Sequence, residues 1–189
     1  MILNYNLPEH DVSKRIKLPL SIQKSLLEST RTEWQSNPRF GGKANFFMTL
    51  HRDLLDGIAQ LSHGIEQLLD APYGEMHQLA KQMNLVPYSN NLIRFAHHHH
   101  KMEDLNYFPQ MRIMHPELNH GFSLLDGDHN MVDAALTDIQ QALRVLDEAS
   151  ATHDQLAKLY CGSKKLENIM TRHIWDEEEI IIPIFLKHT

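Results

Sequence analysis

His99-His100-Lys101-Met102-Glu103-Asp104-Leu105-Asn106-Tyr107-Phe108-Pro109 and His173-Ile174-Trp175-Asp176-Glu177-Glu178-Glu179-Ile180-Ile181-Ile182-Pro183 are two versions of one pattern. Each sets a His four residues before a Glu, an acidic residue directly after that Glu, and a Pro ten residues after the His. Positions i and i+4 of a helix stack on one face, so each stretch aims an imidazole and a carboxylate in the same direction. A helix face offering neutral nitrogen beside anionic oxygen is half of a transition-metal site. The pattern extends backward, because His51 precedes the first block and His129 the second by similar intervals. Each leading His lies in an apolar stripe at helical spacing: Phe47, Leu54, Leu55 and Ile58 around His51, and Leu125, Val132 and Leu136 around His129. Leu166, Ile169, Ile180 and Ile181 flank His173 in the same way. The chain reads twice as a helix with an inward His, a turn, and a helix with an inward His and Glu. Two such hairpins close into a four-helix bundle around a shared polar cluster.

The rest of the composition agrees. A chain of 189 residues, 42% hydrophobic and 22% charged, is long enough for one soluble domain with a proper core. Gly and Pro are sparse at 8 each, helix formers dominate, and no alternating strand pattern is visible. The expected fold is all-α: an antiparallel up-down-up-down four-helix bundle with an N-terminal helical extension. A formal charge of −6 with no basic stripe argues against nucleic acid as a partner. The single cysteine, Cys161, excludes an intramolecular disulfide and a thiolate metal site. Neither a signal peptide nor a membrane-spanning run is visible, so the expected location is the cytoplasm, with no membrane partner. The count of 14 histidines is unusual, and the run His97 to His100 is internal, continuing directly into Lys101-Met102-Glu103.

Residues 1–43 form an N-terminal arm and short helix, and residues 44–187 form the bundle. The arm, to about residue 18, reads as extended or loosely docked. Ser21 is placed to cap a helix running through Ile22, Leu26 and Leu27 towards Trp34, ended by Asn37-Pro38. This piece packs on the bundle or presents a helix to a partner. The first bundle helix covers about residues 44–69 and stops at Asp70-Ala71-Pro72-Tyr73-Gly74. The second starts near Glu75, breaks at Val86-Pro87, restarts with Ser89 as N-cap, and meets Pro109. Residues 110–127, with His115-Pro116, His120-Gly121 and Asp126-Gly127, read as an irregular connection over one bundle end. The third helix covers about residues 128–149, with the turn at Ser150-Ala151-Thr152, and the fourth about residues 153–186, with a weak point at Cys161-Gly162.

Taken singly, an inward His is more often a hydrogen-bonded core residue than a ligand, and a lone HxxxE usually sits on a solvated face, as Glu178 and Glu179 are expected to do. The coincidence is what carries weight. Four apolar-face histidines and two carboxylates occur at matching places in two repeats. Burying two carboxylates without cations costs several kcal/mol each. Nearby Lys and Arg are too few at helical spacing to offset that, whereas two divalent or trivalent metals would. Four His and two Glu serve two metals if each takes two terminal imidazoles and both carboxylates bridge. Ligands limited to nitrogen and oxygen suit iron or manganese; zinc fits the ligand types but gains nothing from the bridging.

His51, then His99 with Glu103 ahead of Phe108-Pro109, then Asp128-His129, then His173 with Glu177-Glu178 ahead of Pro183 resembles the hemerythrin-like, HHE cation-binding domain over about residues 44–187. The resemblance implies a bundle holding a non-haem di-iron centre, two iron ions with His51, His99, Glu103, His129, His173 and Glu177 as ligands. Departures are visible. Oxygen-carrying hemerythrins have HxxxH on the third helix, where this chain has Asp133 in the second position. They have an Asp five residues after the last His, where Glu177 comes four after. The fifth imidazole is therefore unassigned, with His100 the first candidate and Asp133 the next; His97 and His98 read as outer or surface residues.

The expected function is a di-iron protein that binds, senses or handles a small oxidant or diatomic ligand such as O2, NO or H2O2. Two alternatives stand beside it. One is a peroxidase- or oxidase-like enzyme, for which no flavin, haem or iron–sulfur donor motif is present. The other is an iron-responsive protein whose metal orders the bundle without turnover.

Overall fold

The computed structural model describes residues 3–5, 7–72, 74–146 and 151–188. Among these every regular element is a helix, and there is no strand. Two single-turn helices, α1 (Leu20–Gln23) and α2 (Arg31–Trp34), precede the bundle. The continuous helix expected from Ser21 to Trp34 is thus two turns. Thr30-x-x-Glu33 starts the second one afresh, with the Glu33 carboxylate accepting from the Thr30 N–H at 3.0 Å.

Helix α3 (Lys43–Asp70) buries Phe47, His51, Leu54, Ile58, Leu61, Ile65 and Leu68, a stripe at three- and four-residue spacing that faces the core. It ends at Ala71, which takes the extended conformation imposed on a residue before proline (φ −73°, ψ 146°). Helix α4 (Met76–Gln82) is short, and Asn84 at φ 48° turns the chain into α5 (Leu85–Met102). Pro87 lies in the first turn of α5, where its missing N–H costs nothing. Ser89 therefore does not cap a helix, as expected above; it is buried inside α5 and donates to the Leu85 carbonyl at 2.7 Å.

One π-helical segment, Glu103–Tyr107, joins α5 to α6 (Phe108–Met114). Pro109 in the first turn of α6 lacks an N–H and crowds the carbonyl four residues back, and a wider turn there relieves both. A 3-10 turn, Pro116–Leu118, then leads into α7 (Asn119–Arg144), and α8 (His153–His188) completes the bundle. The irregular connection expected over residues 110–127 is thus helical. Its glycines are not turns: Gly121 lies under Ile180 and Ile22, and Gly127 under the Tyr5 ring, so both are small for close packing. Helix α7 begins at Asn119 rather than near residue 128, and the expected end at residue 149 and turn residue Ser150 lie outside the described residues. No break occurs at Cys161-Gly162; α8 is continuous.

Helix α3 packs on α5 and α8, and α7 on α5 and α8, so consecutive long helices are neighbours, as in an up-down-up-down bundle. Two apolar layers fill it. One gathers Leu54, Ile58, Val132, Leu136, Ile169 and Met170; the other Phe47, Phe108, Phe122, Ile180, Ile181 and Phe185. The histidines and carboxylates occupy the level between them. The arm is not loosely docked. Val12 and Leu18 are buried, and Arg15 is buried among acidic side chains of α7 and α8.

Candidate metal centre

Each helix turns a different member of the polar level inward. Helix α3 supplies His51, α5 His99 and His100, the π-helical segment Glu103, α7 His129, and α8 His173 and Glu177, all buried. The ligand-type atoms fall into two groups. Those of His51, His99, Glu103 and Glu177 lie within 4.8 Å of one another, as do those of His100, His129 and His173. The carboxylates join the groups. Glu103 Oε1 stands 3.0 Å from His99 Nε2 while its Oε2 stands 3.6 Å from His129 Nε2. Glu177 Oε2 stands 3.4 Å from His51 Nε2 and 3.7 Å from His173 Nε2.

The structure therefore gathers all six residues expected from the sequence, together with His100. Adjacent residues on a helix differ by about 100° in direction, yet a dimetal site is wide enough to be flanked by both. His99 points into one group and His100 into the other, where its ring stacks on His129 at a centroid distance of 4.2 Å. Asp133, the second candidate, lies outside both groups; its side chain is 51% exposed and accepts from His97 Nδ1 at 3.1 Å. His97 and His98 are exposed.

The outer contacts fix ring orientation. His51 Nδ1 meets Glu178 Oε1 at 3.1 Å, His129 Nδ1 meets Asp104 Oδ1 at 2.8 Å, and His173 Nδ1 meets Asp128 Oδ2 at 3.4 Å. A carboxylate on Nδ1 holds the imidazole with Nε2 turned inward and raises its basicity. Sequence reasoning missed this ring. Glu178, expected on a solvated face, is buried between His51 and Arg31. The signal was the acidic residue following each Glu of the repeat: Asp104 and Glu178 are those residues.

The inner atoms decide what the site fits. The Nε2 atoms of His51, His99, His100, His129 and His173 and all four oxygens of Glu103 and Glu177 are buried without a hydrogen-bond partner among the described residues. Such groups are costly unless something of opposite character meets them. Electrostatics point the same way. Burial lowers His99, to about 3, and His100, well below the ordinary value, so both nitrogens stay free of protons, as ligation requires. Burial would also lower His51, but Glu177, Glu178 and Glu103 outweigh it and raise it to about 10. Burial, then the neighbouring Glu177, drives Glu103 well above the carboxylate range. The centre draws in positive charge, which a cation held by these groups would supply. The donors are five imidazoles and two carboxylates, with no sulfur. They fit a pair of first-row metal ions.

The fold and the site define a class: a helical bundle with a carboxylate-linked histidine cluster built to bind cations. The family model of the hemerythrin HHE cation binding domain matches residues 43–185. The chain belongs to that family. No curated protein and no solved structure matches it.

Proposed function

We propose that the protein is a non-haem di-iron protein that binds, senses or handles a small oxidant or diatomic ligand such as O2, NO or H2O2, in the cytoplasm. The observation that carries this reading is the unequal division of donors between two groups sharing two carboxylates. His100, His129 and His173 would hold one iron and His51 and His99 the other, with Glu103 and Glu177 common to both. The group with two imidazoles supplies fewer protein donors and would leave room there for a small exogenous ligand. Iron supplies redox activity and affinity for diatomic molecules. The chain's own residues do the rest. Glu178, Asp104 and Asp128 orient three of the imidazoles. Phe108 stacks over His129 at 5.6 Å and Phe47 meets His51 edge-on at 5.9 Å, which keeps bulk water from the cluster.

Metal analysis with an optical spectrum of the freshly purified protein tests the proposal. The expected result is two irons per chain with near-ultraviolet charge-transfer bands that change on adding azide or NO. A zinc-loaded, spectrally silent protein that stays indifferent to both ligands after iron reconstitution would overturn it.

A further inference from the structure

The segment before the bundle enters it at two points, and both end on a carboxylate that holds a site histidine. The Arg15 side chain, 1% exposed, donates through Nη1 to Asp128 Oδ1 at 2.8 Å, through Nη2 to Asp128 Oδ2, and through Nε to Asp176 Oδ2 at 2.7 Å. Asp128 is the carboxylate that meets His173 Nδ1. Arg31 donates through Nη1 to Glu178 Oε2 and through Nε to Glu179 Oε1, both at 2.5 Å, and through Nη2 to the Trp175 carbonyl at 2.7 Å. Its guanidinium is clamped between rings, 3.8 Å from the Trp175 centroid and 4.8 Å from that of Trp34. The other oxygen of Glu178 meets His51 Nδ1. His173 belongs to the three-histidine group and His51 to the other, so one arginine stands behind each. Both arginines precede residue 43, where the family match begins.

We propose that residues 7–42 are a working part of the metal centre, with Arg15 and Arg31 as positioning residues, one per metal, acting through Asp128–His173 and Glu178–His51. The inference rests on the metal-binding reading above. A guanidinium fork on a carboxylate fixes both its position and its charge, and with them the aim of the imidazole behind it. Lysine would supply charge without the fork. The three outer carboxylates provide an internal comparison. Asp104, on His129, is 42% exposed and has no arginine on it among the described residues. The bundle alone therefore orients His129, while His51 and His173 depend on the preceding segment.

The test uses iron-loaded full-length protein challenged with an iron chelator, following iron per chain and the charge-transfer spectrum with time. Arg15→Gln and Arg31→Gln should each release one of the two irons about tenfold faster than wild type or more, the loss seen when such outer partners are removed. The second readout is additivity. Arg31→Gln should add little to Glu178→Gln, and Arg15→Gln little to Asp128→Asn, because each arginine acts through that carboxylate. A general loosening of the fold would instead speed release of both irons and add in full. Wild-type release rates in the arginine variants, or full additivity, would overturn the proposal while leaving the di-iron reading intact. A wild-type chain that takes up no metal would overturn both. Should Arg15→Gln fail to fold, the Arg31 and Glu178 variants decide the matter, since Arg31 lies at the surface of the bundle with a side chain 23% exposed.

Discussion

Glu103 and Glu177 share one neighbour, His51 Nε2, at 3.8 and 3.4 Å, and each also reaches a histidine of the other group. That placement separates them from the imidazoles in what their loss should do. Glu103→Ala and Glu177→Ala are each expected to lose both metals, because each removes a donor common to the two groups. His51→Ala should mainly weaken one. Metal counted per chain decides it, and a Glu variant that keeps two metals would show that the carboxylates do not bridge. His100 poses a narrower question, since it is the only one of the seven donors that the repeat does not produce. His100→Gln should keep the bundle folded but shift the charge-transfer bands and the affinity for azide. If both stay as in wild type, His100 is not a ligand.

At the scale of the element, Gly127 shows how a misread residue becomes a useful one. Helix propensity favours Ala over Gly by about 1 kcal/mol at an interior position. A Cβ at Gly127 would, however, collide with the Tyr5 ring, which is fixed by its hydroxyl donating to the Ser123 carbonyl at 2.6 Å. Overpacking of that kind costs about 1–3 kcal/mol and should win. Gly127→Ala is therefore expected to lower the melting temperature, whereas the same change in a Tyr5→Ala background should raise it. Equal effects in the two backgrounds would show that the arm does not lie there. The same residue marks the boundary of what could be read in the sequence. The bundle, its inward histidines and the shared carboxylates were legible because they repeat at helical period. Residues 110–127 were not, because glycine serves tight packing and turns alike, and only the neighbours Tyr5, Ile22 and Ile180 distinguish the two uses. His100 was half legible: its neighbours His97 and His98 are exposed, and spacing alone gives no direction for a fourth histidine in a row. Arg15 was invisible, since its partners Asp128 and Asp176 are 113 and 161 residues away.

For the whole molecule, metal and protons compete for the same nitrogens. In the metal-free chain His99, held near 3, and His100 stay neutral when folded but take up protons on unfolding, so their burial costs stability as pH falls below about 6.5. His51 runs the other way. Raised to about 10, it stabilises the metal-free fold fully below about 6.5, and that contribution is lost as pH rises towards 10. The metal-free protein is thus expected to weaken at both extremes. The loaded protein should gain most at alkaline pH, where His51 too has given up its proton, and lose the gain in acid. Melting temperatures measured against pH with and without chelator should converge below about pH 5; curves still apart at that point would count against histidine ligation. Helix α8 has one more consequence. It carries His173 and Glu177 together with Asp176 and Glu178, which hold the N-terminal arginines alongside Asp128 of α7, and it follows the other described helices in sequence. During synthesis at about 5–20 residues per second, the N-terminal segment leaves the ribosome ahead of both helices it grips; Arg15 meets Asp128 once α7 is out, while Arg31 waits for Glu178 of α8. Iron supplied to a translating extract should accordingly be absent from ribosome-bound chains arrested before α8 and appear on chains in which α8 has emerged, which ties metal loading to the making of that one helix.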